Sequence, residues 1–149
     1  MPVRPGHRLT PAPFFEALPL RVATALPAEL RGFEHRRVHR VMKFHYGHPE
    51  THFEAWYHSG QGRLEVGLHL EGRPELNAAA LAFFRARMVE VRGGLPLAEL
   101  EPWDRGWARL YETFPAPTLD TDALEEAARR VAAYVVTLQP LLEQFWSER

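Results

Sequence analysis

The chain contains no cysteine. That excludes disulfides and thiolate metal sites, and it suits a reducing compartment. Lysine occurs once, as Lys43, against seventeen arginines, and asparagine also occurs once. With abundant Ala, Pro, Gly and Leu, this pattern matches a GC-rich coding bias and a thermophile's avoidance of labile residues. An excess of charge of either sign is missing too, with 18 Lys and Arg against 19 Asp and Glu. The formal net charge is −1, so no global field draws the protein onto nucleic acid or anionic lipid. No apolar run approaches the roughly 20 residues of a membrane span. The start, MPVRPGHRLTPAPFF, has prolines where a signal peptide needs an apolar helix, so a cytoplasmic location is expected. There is no Gly-rich phosphate loop, G-x-S-x-G elbow, kinase signature or dinucleotide fingerprint. The absence of these motifs favours a non-enzymatic role.

What is present suffices for a core. The 149 residues are 46% hydrophobic and 25% charged, the ordinary balance of one globular domain spanning 1–149. Residues 1–13 carry four prolines and are expected to form an extended lead-in. Phe14, Leu18, Val22, Leu26 and Leu30 have helical spacing, which Pro19 and Pro27 should break into short pieces. Three runs alternate with period two and are read as strands: Val38–Tyr46, Thr51–His58 and Arg63–Glu71. Ser59-Gly60-Gln61-Gly62 and Gly47-His48-Pro49-Glu50 are their turns. The basic stretch Arg36-Arg37-Val38-His39-Arg40 reads as a solvated strand entry.

A helix follows from Pro74, with Gly93-Gly94 as its left-handed cap. A second hairpin joins Ala98–Trp103 to Trp107–Phe114 through Asp104-Arg105-Gly106, placing Glu101 opposite Arg109 and Leu100 opposite Leu110. The last helix should run from about Thr121 to Trp146, with Asp122 and Glu125 as a capping box and Pro140 as a kink. The expected order is α-β-β-β-α-β-β-α, an α+β fold with helices on one face of an antiparallel sheet.

Seven of the eight histidines lie between His35 and His69. Centring the turn on Gly60-Gln61 pairs His52 with His69, Glu54 with Gly67 and His58 with Arg63. It puts Phe53, Ala55, Tyr57, Leu64, Val66, Leu68 and Leu70 on the opposite, apolar face. A one-residue slip would destroy that partition. Centring the other turn on His48-Pro49 pairs Lys43 with Glu54, His39 with His58 and His45 with His52. A row His45–His52–His69 results, with Glu54 and Glu71 one step away. Directly opposed side chains stand about 5 Å apart. Such a row could share a divalent ion, and with Glu54 as ligand or general base a metal-dependent hydrolase is one reading. The alternative is a polar or interface surface.

Trp56 points to the histidine face. Trp103, Trp107 and Tyr111 join Glu101 and Arg109 off the apolar side. Aromatic and arginine enrichment with a polar rim suits an interface. Trp56, Trp103, Trp107, Arg109 and Tyr111 are therefore the candidate binding surface for a homodimer or a protein partner, unless residues 14–33 cover those rings.

The order of elements resembles the type III secretion chaperone-like fold and its YbjN-type relatives, which implies a small, often dimeric adaptor that binds polypeptides. The segments RLEVGLHLEG, LNAAALAFFRARMVEVRGG and LAELEPWDRGWARLYETF, with the closing helix, also resemble an uncharacterised C-terminal domain of restriction-endonuclease-like proteins. Trp103 and Arg109 stand where that domain has a tryptophan and an arginine. This second likeness implies architecture and suggests an accessory of a nucleic-acid defence system, with direct duplex binding disfavoured by the net charge.

Overall fold

Proline starts the first helix rather than preventing it. In the computed structural model, which describes residues 7–149, α1 spans Pro11–Ala25 with a proline in its first turn, where the missing N–H has no partner to lose. The expected extended segment therefore ends at Thr10, and its first six residues lie outside the described ones. Pro19 sits inside α1 without dividing it. Phe14, Phe15, Leu18 and Val22 are fully buried along one stripe. Burial of such side chains contributes about 2 kcal/mol each, which offsets a proline cost of about 3 kcal/mol. Pro27 follows the helix's end and precedes a short 3-10 turn, Ala28–Leu30.

The strand expected over 38–46 is present in shorter form, and an additional strand precedes it. β1 spans Glu34–Val38 and β2 spans Val41–His45, turning at His39, whose φ of 54° is left-handed. β3 is Thr51–His58 and β4 is Arg63–Leu70. Their register matches the expectation, with His52 opposite His69, Glu54 opposite Gly67 and His58 opposite Arg63.

The expected single helix after Pro74 is two. α2 is Pro74–Arg85 and α3 is Met88–Gly94. Gly93 and Gly94 lie inside α3, and neither has a positive φ, so they form no left-handed cap. Gly94 serves close approach instead, since a Cβ there would stand 2.6 Å from Thr137 Oγ1. β5 spans Glu99–Pro102 and β6 spans Ala108–Pro115, paired as Leu100–Leu110 and Glu101–Arg109 as expected. Gly106 takes the positive φ in the connecting turn, and so does Arg105. α4 runs Thr121–Ser147 as one continuous helix with Pro140 inside it. The side chain of Asp120, rather than the Asp122–Glu125 pair, caps it by accepting from Ala123 N at 2.7 Å.

The fold is α+β, with one six-stranded antiparallel sheet in the order β1-β2-β3-β4-β6-β5. α4 lies over β3 and β4, and α1 packs on α4 and β2. Met42, Phe44, Phe53, Ala55, Leu64, Val66, Leu68, Leu70 and Leu110 form the sheet's side of the core. On that side Glu112 takes Arg130 Nη1 at 2.6 Å and the Tyr134 hydroxyl at 3.0 Å, tying β6 to α4. The sole asparagine, Asn77, is buried. It bonds both backbone groups of Gly72 and the Gly106 carbonyl, joining the β4–α2 loop to the β5–β6 turn.

Candidate metal centre

A sheet with one apolar face normally gives its other face to water. Here that other face is buried at its centre. His52, Glu54, Glu65 and His69 are all at most 3% exposed. β3 and β4 put them side by side because positions two apart along a strand share a face. His52 and Glu54 come from β3, and Glu65 and His69 from β4. Glu71 follows β4, and Arg109 arrives from β6 directly opposite His69.

The contacts form one continuous network. His52 Nε2 lies 2.9 Å from Glu54 Oε1. His69 Nε2 lies 2.7 Å from Glu65 Oε2 and 3.5 Å from Glu54 Oε2. The other ring nitrogen of each histidine is also held. His52 Nδ1 meets the Pro49 carbonyl at 2.9 Å, and His69 Nδ1 meets Glu71 Oε2 at 3.0 Å. Arg109 donates to Glu65 Oε1 at 2.6 Å and to Glu101 Oε1 at 2.5 Å. His58 Nε2 lies 3.2 Å from that same Glu65 oxygen, and Lys43 Nζ is 3.7 Å from Glu71 Oε1.

At His69, Glu65 and Glu71 burial opposes charge, yet the pairings win. Desolvation works to neutralise His69. Glu54, Glu65 and Glu71 outweigh it and raise its pKa to about 9. Glu65 is likewise pushed up by burial but ends below the usual carboxylate range, because His69, Arg109 and His58 hold its charge. Glu71 is lowered by His69, His52 and Lys43 against the same penalty.

Two sets of three side chains bring ligand atoms within 4.8 Å of one another: Glu54, Glu65 and His69, and His52, Glu54 and Glu71. Glu54 belongs to both. Of the four expected metal ligands, Glu54 thus stands with His69 in one set and with His52 in the other, and the two histidines share neither. His45 is in neither set. The β2–β3 ladder ends at Phe44–Phe53, one step short of it, and His45 Nε2 turns to Glu34 at 3.2 Å across the β1 hairpin. His39 does not face His58 either, because it forms the β1–β2 turn. Glu65 is the candidate ligand that sequence reading overlooked. Its signal was present in the parity of Glu65, Gly67, His69 and Glu71.

The expected aromatic surface is a half-buried cover. The Trp103 ring stands edge-on to His69 at 5.4 Å and lies 5.7 Å from Trp56 and 6.2 Å from Trp107. The Arg109 guanidinium lies 4.6 Å from the Trp103 ring and 3.9 Å from the Tyr111 ring. Residues 14–33 do not cover these rings, since α1 packs on the helical side of the sheet. No helix among the described residues is long and apolar enough to cross a membrane. No protein-family model matches the chain, and neither a curated protein nor a solved structure does so.

Proposed function

We propose that this protein is a divalent-metal-binding domain that holds one ion in the buried His–Glu cluster. The observation that carries the reading is the orientation of the two imidazoles. His52 aims Nε2 at Glu54, His69 aims Nε2 at Glu65 with Glu54 next to it, and both have Nδ1 against an oxygen, a backbone carbonyl for His52 and the Glu71 carboxylate for His69. Metal-ligating histidines are oriented in this way, with the second nitrogen donating to a carboxylate or a carbonyl. Imidazole with carboxylate and no thiolate suits zinc, manganese or ferrous iron.

Charge supports one ion rather than two. Glu54, Glu65, Glu71 and Glu101 face Arg109, Lys43 and one imidazolium, which leaves one negative charge when His52 and His58 are both counted without charge. A divalent ion in place of the His69 proton brings the sum to zero. A second ion would leave two positive charges where solvation is poor, an expensive arrangement. The cover of Trp103 and Arg109 supports an enclosed ion that braces the fold, as in closed structural sites, over one offered to a substrate. A non-enzymatic role follows.

The test is elemental analysis of untagged protein, with thermal unfolding before and after chelation. About one zinc or manganese per chain is expected, with a lower melting temperature in chelator and loss of the ion in Glu54→Gln. Protein that stays metal-free after dialysis against both ions, with an unchanged melting temperature, ends the reading.

A second reading, a homodimeric or partner-binding surface, is supported by the half-exposed belt of Trp56, Trp103, Trp107 and Tyr111 around Arg109. Light scattering that gives a strict monomer at high micromolar concentration would count against the dimer.

A further inference from the structure

Around His69 Nε2 each carboxylate is divided between two partners. Glu65 Oε2 lies 2.7 Å from His69 Nε2. Its other oxygen, Oε1, accepts from Arg109 Nη1 at 2.6 Å and lies 3.2 Å from His58 Nε2. Glu54 is split in the same way, with Oε2 lying 3.5 Å from His69 Nε2 and Oε1 lying 2.9 Å from His52 Nε2. An ion taken up at His69 Nε2 therefore meets one free oxygen from each carboxylate.

Arg109 is the firmer partner of Glu65 Oε1, and it is fixed from three directions. Its place on β6 is directly opposite His69 on β4. Its Nε and Nη2 both donate to Glu101 Oε1, at 2.8 and 2.5 Å, which leaves Nη1 for Glu65. The Tyr111 ring lies 3.9 Å from its guanidinium carbon and the Trp103 ring 4.6 Å. A planar fork pinned in this way is preorganised, where a lysine ammonium on a flexible stem is not. His58 is the looser partner, by its longer contact.

Divalent ions differ in what they require of a carboxylate. Calcium gathers about six to eight oxygens and draws on both oxygens of a carboxylate to reach that number. Zinc takes about four ligands and is satisfied by a single oxygen from each acid. On the reading that this cluster holds a divalent ion, we infer that Arg109 is the specificity-determining residue of the site. By keeping Glu65 Oε1 for itself it makes Glu65 a one-oxygen ligand, which admits zinc and excludes calcium.

The test is calorimetric titration of chelator-stripped protein with zinc and, separately, with calcium. Wild-type protein should bind zinc and show no calcium binding up to about 10 mM, beyond the range of even weak calcium modules. Arg109→Met has a comparable reach and no donor, so Glu65 can offer both oxygens. Calcium should then bind at about 1 mM or tighter, and the calcium-to-zinc ratio of dissociation constants should fall at least about tenfold. Loss of the arginine's charge strengthens both divalent ions alike and cancels in that ratio. Arg109→Lys keeps a cation beside Glu65 to support folding but gives up the pinned fork, and its ratio should fall in the same direction by less. An unchanged ratio in folded Arg109→Met, or in Arg109→Lys where the methionine variant does not fold, overturns the inference. So does wild-type protein that takes calcium as tightly as zinc. Wild-type protein that binds neither ion removes the metal reading as a whole, whereas zinc binding with an unmoved ratio removes the role of Arg109 alone.

Discussion

Raising the pH from 6.5 to 9.5 in the presence of chelator should destabilise this protein, and His69 sets the size of the effect. Its folded pKa is about 9 against an ordinary value of 6.5. A raised folded pKa means that the folded state holds the proton more tightly. Stability from this group is therefore complete below about pH 6.5 and is lost as the pH climbs to about 9. Two and a half pH units at about 1.4 kcal/mol each give about 3.5 kcal/mol, of which about 3 kcal/mol is lost between pH 6.5 and 9.5. Domains of this kind have only about 5–15 kcal/mol in total, so the loss is large. No other shifted group described above titrates in that window. The lowered Glu65 and Glu71 are charged throughout it, and Tyr46 titrates higher. Urea unfolding followed by tryptophan fluorescence is the assay. The midpoint should fall by about 1–2 M across the range, given a slope of about 2 kcal/mol per molar. A midpoint that stays level or rises would refute the reasoning. So would a folded His69→Gln variant that keeps the same slope.

Three further outcomes follow from single contacts. Gly67→Ala should be severe, because its Cβ would stand 2.4 Å from the Leu110 carbonyl oxygen and 2.7 Å from Tyr111; a loss of at least about 2 kcal/mol in urea unfolding is expected, and a near-neutral variant would show that β4 and β6 can separate cheaply. Asp120→Ala removes the cap on α4 and should cost about 1 kcal/mol, a drop of about 2–4 °C in melting temperature by calorimetry. Asn77→Ala leaves three backbone groups of the Gly72 and Gly106 loops without their side-chain partner, and should raise amide exchange at Gly72 before it changes global stability by more than about 2 kcal/mol.

Parity carried the legible part of this fold. The pairings of His52 with His69 and of Glu101 with Arg109 follow from alternation and turn chemistry, which are local signals. The burial of the polar face was not legible. It depends on β6 pairing with β4 across two intervening helices, which brings Arg109 and Trp103 over Glu65 and His69. Nothing local to either strand encodes that approach. β1 was missed for a related reason. All five of its residues are exposed, so it has no burial pattern to alternate, and Arg36-Arg37 reads as mere solvation. The α2–α3 break was hidden because Gly93 and Gly94 look like a stop signal, while the chain turns earlier, at Ala86–Arg87.

The two rims of the sheet have a consequence for behaviour at high concentration. One rim is β1, which displays Glu34, His35, Arg36 and Arg37 along unpaired backbone. The other is β5, only four residues long and closed by Pro102, which cannot donate to a neighbour. Charge at one rim and brevity with proline at the other both discourage strand addition, so growth into extended β-assemblies is blocked at each end.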